Sequence, residues 1–100
     1  MDVGSAPQVT VRIPAQIRRL YGAQAREMLA AATVAEVVTL LDARYPGMGE
    51  RLTEPSGELR RWVNVFVRGE DVRGLTGVAT TLHPGDEVWI VPSVAGGALP

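Results

Sequence analysis

Near the end of the chain two adjacent glycines, Gly96 and Gly97, follow Pro92-Ser93-Val94-Ala95 and precede Ala98-Leu99-Pro100. Pro92 restricts strand pairing and the residues behind it offer few anchoring groups, so the sequence predicts a flexible tail over residues 93–100. Extended, the stretch from Ser93 to Gly97 reaches about 17 Å, far enough to enter another protein's active site. Glycines have no Cβ, so they pass a narrow channel and let neighbouring backbone approach closely. A plain chain end or a cloning scar gives the same dipeptide, so the remaining chemistry-bearing residues must be weighed with it.

Those residues are few. Cysteine and lysine are absent, all ten basic residues are arginine, and His83 is the single histidine. This excludes a thiolate nucleophile, a disulfide framework, cysteine-ligated zinc, a phosphate-loop lysine and a Schiff base. One imidazole cannot supply the paired ligands of a common catalytic zinc site, and the sequence points to no metal and no bound cofactor. Glu70-Asp71 and Asp86-Glu87 are adjacent carboxylates, but both pairs sit at turns, where acidic residues are common, and nothing else converges on them. Gly69, Gly74 and Gly77 do not fit a phosphate-binding spacing. Arg18-Arg19 and Arg60-Arg61 read either as solvated faces or as contacts for acidic partner surfaces. No catalytic residue emerges.

The frame holding these residues is small: 100 residues, 46% hydrophobic and 21% charged, which fits one domain. A net charge of −1 gives no global pull toward nucleic acid. The first residues, Met1-Asp2-Val3-Gly4-Ser5-Ala6-Pro7-Gln8, lack a basic and apolar leader pattern, and the apolar stretch Met28 to Leu41 is interrupted by Thr33, Glu36 and Thr39. The expectation is a cytoplasmic protein with no membrane partner. Its organisation reads as a flexible N-terminus over residues 1–7, a folded domain over 8–92 and the tail.

Gln8 to Ile13 alternates apolar and polar residues as a half-buried strand does, and Pro14 ends it. A loop holding Arg18, Arg19, Tyr21 and Gly22 follows, and Gln24–Ala30 reads as the return strand of a hairpin although its residues favour helix. Thr33-Val34-Ala35-Glu36 has the spacing of a capping box, and Val34, Val37, Val38, Leu41 and Tyr45 recur at helical intervals until Pro46-Gly47. Gly47 to Leu59 reads as a polar connection, too long for a simple turn, that includes a short helical piece around Met48–Leu52. Arg61 to Arg68 is the strongest strand signal, Gly69-Glu70-Asp71 turns it into a short partner around Val72, and Glu87–Val91 is the last strand.

Strand, strand, helix, strand, short strand, strand predicts an α+β domain: a mixed sheet of four to five strands with one main helix on one face. If Val63, Val65 and Val67 face that helix with Val88 and Ile90, then Trp62, Asn64, Phe66, Trp89 and Val91 face away. Trp62, Phe66, Trp89 and Val91 would then form an exposed apolar face suited to a protein partner, unless the register is shifted by one or loops cover it.

Three stretches carry a family resemblance: Thr33 to Val38 opening the helix, Gly85-Asp86-Glu87-Val88 entering the last strand, and Pro92 to Gly97. With this element order they resemble the ThiS/MoaD family of ubiquitin-like sulfur carriers over Gln8 to Gly97. Gly49-Glu50-Arg51-Leu52, Arg61 to Val67 and Glu70-Asp71-Val72-Arg73 are most similar to the actinobacterial cysteine-biosynthesis carriers of the CysO type.

The resemblance implies a β-grasp fold and a protein co-substrate, not an enzyme. A partner of the ubiquitin-activating class would adenylate the Gly97 carboxylate with ATP, and sulfide or a persulfide donor would convert it to a thiocarboxylate. A pyridoxal-phosphate-dependent cysteine synthase is the implied acceptor of the sulfur. Ala98, Leu99 and Pro100 keep that carboxylate in a peptide bond, so a metalloprotease that trims after Gly97 is a further implied partner. Carriers for molybdopterin, for thiamine or for a sulfur-containing natural product share these features. A non-catalytic β-grasp adaptor that uses only the aromatic face is the reading of another class.

Overall fold

The computed structural model describes residues 6–93. Alternation in Gln8–Arg12 makes strand β1, with Val9 and Val11 fully buried. The expected hairpin loop is instead a helix, α1, over Ala15–Tyr21. Pro14 precedes it, and Gly22 ends it in the left-handed conformation (φ 69°), its N–H donating to the Arg18 carbonyl at 2.8 Å. Ile17 is the one buried side chain of α1, too little to register as a helical period in the sequence.

Strand β2, Arg26–Ala30, returns antiparallel to β1 with Val11 opposite Glu27 and Val9 opposite Leu29. Tertiary pairing thus overrides the helical propensity of this segment. Glu27 takes an inward position, so no clean apolar face was visible in the sequence. Its carboxylate accepts hydrogen bonds from the Gln24 amide (2.9 Å), from Arg44 (2.6 Å) and from the Tyr45 hydroxyl. A buried carboxylate is tolerated only when satisfied in this way.

Helix α2, Val34–Arg44, starts where the capping spacing places it. The Thr33 hydroxyl accepts from the Glu36 N–H at 3.2 Å, while the Glu36 carboxylate reaches one residue further back, to the Ala32 N–H at 2.8 Å. Val34, Val37 and Leu41 are buried against the sheet, with Val38 and Tyr45 half-buried beside them. Helix α3, Met48–Leu52, follows the sharp turn at Gly47 (φ 97°). One oxygen of Asp42 on α2 accepts from the N–H groups of Gly47 (3.1 Å) and Gly49 (2.9 Å), fixing the two helices together.

Strand β3, Val63–Val67, turns through Arg68 and Gly69, both at positive φ, into the two-residue strand β4, Glu70–Asp71. The short partner expected around Val72 therefore ends one residue earlier, and Val72, itself buried, opens a 3₁₀ turn. Strand β5, Glu87–Pro92, closes the sheet in the order β2-β1-β5-β3-β4, parallel to β1 and antiparallel to β3. The mixed sheet and the main helix are as expected; α1 is the unexpected element. The core lies between the sheet and α2, where Val63, Val65, Val67, Val88 and Ile90 meet the buried side chains of α2. Among the described residues, no helix is long and apolar enough to cross a membrane.

Candidate functional site: the tail exit and the outer sheet face

The central strand β5 delivers the chain to the tail. It is hydrogen-bonded to β1 on one side and to β3 on the other, with Pro92 opposite Val63. One further bond extends the β3 ladder, from the Ser93 N–H to the Trp62 carbonyl at 2.6 Å. The backbone is thus held as far as Ser93. The other tail positions named from the sequence, Val94, Ala95, Gly96 and Gly97 with Ala98, Leu99 and Pro100, lie outside the described residues.

Beside this exit the outer sheet face carries one ordered row. Arg12 of β1 is opposite Trp89 of β5, and Trp89 is opposite Phe66 of β3. The Arg12 guanidinium stacks on the indole 4.1 Å from the ring centroid. Glu87 holds both partners, accepting from the Trp89 Nε1–H at 3.0 Å and pairing with Arg12 at 3.5 Å. Such a stack contributes about 0.5–1 kcal/mol at an exposed site and fixes the orientation of the indole. Trp89 remains 42% exposed, with Phe66 and Val91 half-buried next to it.

Trp62 departs from that face. It lies in the turn ahead of β3, where the Val63 N–H bonds the Arg60 carbonyl, so the two-residue alternation of the strand does not extend to it. Its side chain packs against the core and lines a groove of about 430 Å³ with Tyr21, Gly47, Glu50, Arg51 and Arg60. The structure therefore brings Phe66, Trp89 and Val91 together, leaves Trp62 outside, and adds Arg12 and Glu87, which sequence reasoning missed. Only the β1–β5 pairing could have revealed Arg12, since nothing local marks it.

Asp71 and Asp86, one from each adjacent carboxylate pair, have structural duties. Asp71 accepts from the Arg73 N–H at 2.9 Å and caps a 3₁₀ turn, and Asp86 accepts from the His83 N–H at 2.8 Å while pairing with Arg68. Among the described residues, no group of three or more His, Cys, Asp or Glu could hold a metal ion. Among the described residues, Glu27 and Tyr45 are the groups with displaced titration, both on the helix side of the sheet. Burial works against the charged Glu27, but the Tyr45 hydroxyl, the Gln24 amide and Arg44 together outweigh it and hold the carboxyl below its usual range. The same bond to Glu27, aided by burial and by the carboxylate's charge, pushes the Tyr45 phenol up.

This geometry sets a strand end, held as far as Ser93, beside an exposed aromatic row on the outer sheet face. Known proteins are similar to this chain. The sulfur carrier protein CysO of Mycobacterium tuberculosis is 45% identical over 91 residues, covering 89% of this chain and 98% of that protein. Small archaeal modifier protein 3 of Haloferax volcanii is 47% identical over 66 residues, covering 66% and 71% respectively. A chain in the crystal structure of the Amycolatopsis orientalis BexX/CysO complex superposes with a TM-score of 0.80 at 37% identity, covering 89% of this chain and 99% of that one. The fold is the ubiquitin-like β-grasp, and the relatives are named as carriers and modifiers, not as enzymes. The model of the ThiS family matches residues 11–97, from β1 through the second glycine of the pair, and the chain belongs to the ThiS family.

Proposed function

We propose that the chain is a sulfur carrier of the CysO type whose working group is the carboxylate of Gly97. The observation that carries this reading is the position of Gly96-Gly97: they close the family match and lie three and four residues beyond Ser93, whose N–H bonds the Trp62 carbonyl just after the central strand. Residues after Gly97, beginning with Ala98-Leu99-Pro100, must first be cut away to free the carboxylate, a task for a metalloprotease. The free carboxylate then attacks the α-phosphate of ATP on an adenylating enzyme, and pyrophosphate leaves. Sulfide displaces AMP from the acyl adenylate, and the thiocarboxylate carries the sulfur to an acceptor such as a pyridoxal-phosphate-dependent cysteine synthase.

The partner enzymes supply the positioning and charge stabilisation that this chemistry needs. The carrier supplies a slender tail and a rigid body. Phe66, Trp89 and Val91 are the face for a partner, with Arg12 and Glu87 setting the pose of Trp89. The ATP requirement puts the cycle in the cytoplasm. The BexX/CysO complex supports this reading, since a carrier of the same fold is there bound to another protein.

The test is the intact mass of the protein purified from its native cells and rapidly alkylated. A species ending at Gly97 with one oxygen replaced by sulfur, and with the alkyl group on that sulfur, is expected. A species that retains residues 98–100 in sulfur-replete and sulfur-starved cells alike overturns the reading and favours the adaptor. Which sulfur acceptor is used follows from which enzyme discharges the thiocarboxylate, and a molybdopterin or thiamine acceptor would replace the cysteine assignment.

A further inference from the structure

The chain has a net charge of −1, yet three of its arginines without an ion pair, Arg18, Arg51 and Arg61, flank the end of β5 where the tail leaves. On one side of Pro92, Arg12 and Arg18 line a cleft of about 280 Å³ with Ile13, Pro14 and Trp89. On the other side, the residue whose carbonyl holds Ser93, Trp62, lines a groove of about 430 Å³ together with Arg51 and Arg60, and the exposed Arg61 directly precedes it. The four ion pairs among the described residues use Arg12, Arg44, Arg60 and Arg68. Arg18, Arg19, Arg26, Arg51, Arg61 and Arg73 are outside these ion pairs, and of them Arg18, Arg51 and Arg61 stand beside the exit.

Two of these three are also positioned. The Arg18 guanidinium donates to the Ile13 carbonyl at 2.9 Å, and Arg51 Nε donates to the Tyr21 hydroxyl at 3.3 Å. Each bond fixes the side chain without neutralising it. Glu50 is the one acidic side chain lining either cleft, against Arg12, Arg18, Arg51 and Arg60, so the balance around the exit is positive.

Resting on the carrier reading, we propose that Arg18, Arg51 and Arg61 form a basic collar that docks an acidic rim around the channel of the adenylating partner. Any enzyme that takes the tail must close its channel mouth against this end of the domain, because Ser93 is held here and only a few residues separate it from Gly97. Opposite charges at the two mouths steer the tail toward its channel before the outer sheet face engages. The collar is thus a device for association rate, separate from the apolar contact made by Phe66 and Trp89.

The test is stopped-flow association of the chain ending at Gly97 with its purified adenylating enzyme, between low and high salt, alongside the Arg18→Glu/Arg51→Glu/Arg61→Glu variant. The variant is expected to associate roughly tenfold or more slowly at low salt, to converge with the parent at high salt, and to dissociate at an unchanged rate. The Arg51→Glu/Arg61→Glu pair, which leaves the Arg18–Ile13 bond intact, is expected to show an intermediate loss and serves as the control for folding. A parent that is thiocarboxylated normally while the variants associate at the same rate and salt slope overturns the collar and leaves the carrier reading standing. Unchanged association together with collar-dependent binding of an oligouridine overturns it in favour of nucleic acid. A parent that the enzyme never modifies removes the carrier reading and the collar with it.

Discussion

The guanidinium of Arg12 lies 4.1 Å from the ring centroid of Trp89, stacked across the parallel pairing of β1 with β5. Glu87 binds both members, so the largest exposed aromatic side chain of the sheet is presented in one fixed pose. Trp89→Ala should therefore lower partner affinity about 10- to 100-fold, as removal of an aromatic anchor does. The stability loss should stay near 1 kcal/mol or less, since Trp89 faces solvent. Urea unfolding and calorimetric titration with the adenylating enzyme measure the two effects separately, and unchanged affinity would remove Trp89 from the docking face.

Trp62→Ala should show the reverse division. Its indole packs on the core beside Tyr21, so its removal should cost about 2–4 kcal/mol of stability. Affinity for the partner, measured on the folded fraction, should change less than it does for Trp89→Ala. A Trp62→Ala protein as stable as the parent would return Trp62 to the exposed face.

Glu27 gives the pH profile a defined sign. Its carboxyl titrates lower in the folded protein than its ordinary value of 4.5, so the folded state is stabilised above that value. That contribution is lost as pH falls through the depressed folded value. Tyr45 is raised above 10.0, so its share is present below pH 10.0 and disappears as pH rises through the elevated folded value. Glu27→Gln should flatten the acid limb of a Tm-against-pH curve, and Tyr45→Phe the alkaline limb. A Glu27→Gln curve parallel to the parent's in acid would mean that another group controls that limb.

Gly49→Ala tests the joint between α2 and α3. A Cβ at Gly49 would stand 3.0 Å from the Asp42 side chain, whose oxygen holds the amides of Gly47 and Gly49. Crowding that contact should destabilise the fold by about 1–3 kcal/mol. Thermal unfolding of Gly49→Ala checks this, and Asp42→Ala in the same background should then cost less than it does in the parent. Full additivity of the two substitutions would show that the contact does not hold the joint.

Much of the fold was legible in the sequence because its signals are local. Thr33 and Glu36 mark the start of α2, Pro46-Gly47 its end, and the alternation around Val65 marks β3 with its inward face. Helix α1 escaped because one buried residue, Ile17, makes no period, although Pro14 and Gly22 bracket it with start and stop signals. The proposed site was legible only in part. Gly96-Gly97 is visible in the residues themselves, whereas the Arg12–Trp89 stack exists only through a long-range parallel pairing that no local pattern encodes. Trp62 was assigned to the wrong surface because strand alternation was carried one residue past the end of the strand.

The place of β5 between β1 and β3 also decides how the domain bears load. A pull on the chain beyond Ser93 is directed along the central strand. It is resisted in shear by the ladders on both flanks at once, so it cannot peel an edge strand away one hydrogen bond at a time. Force applied through the end of β5 is therefore shared by two ladders, so the domain would stay folded under a load that would strip an edge strand.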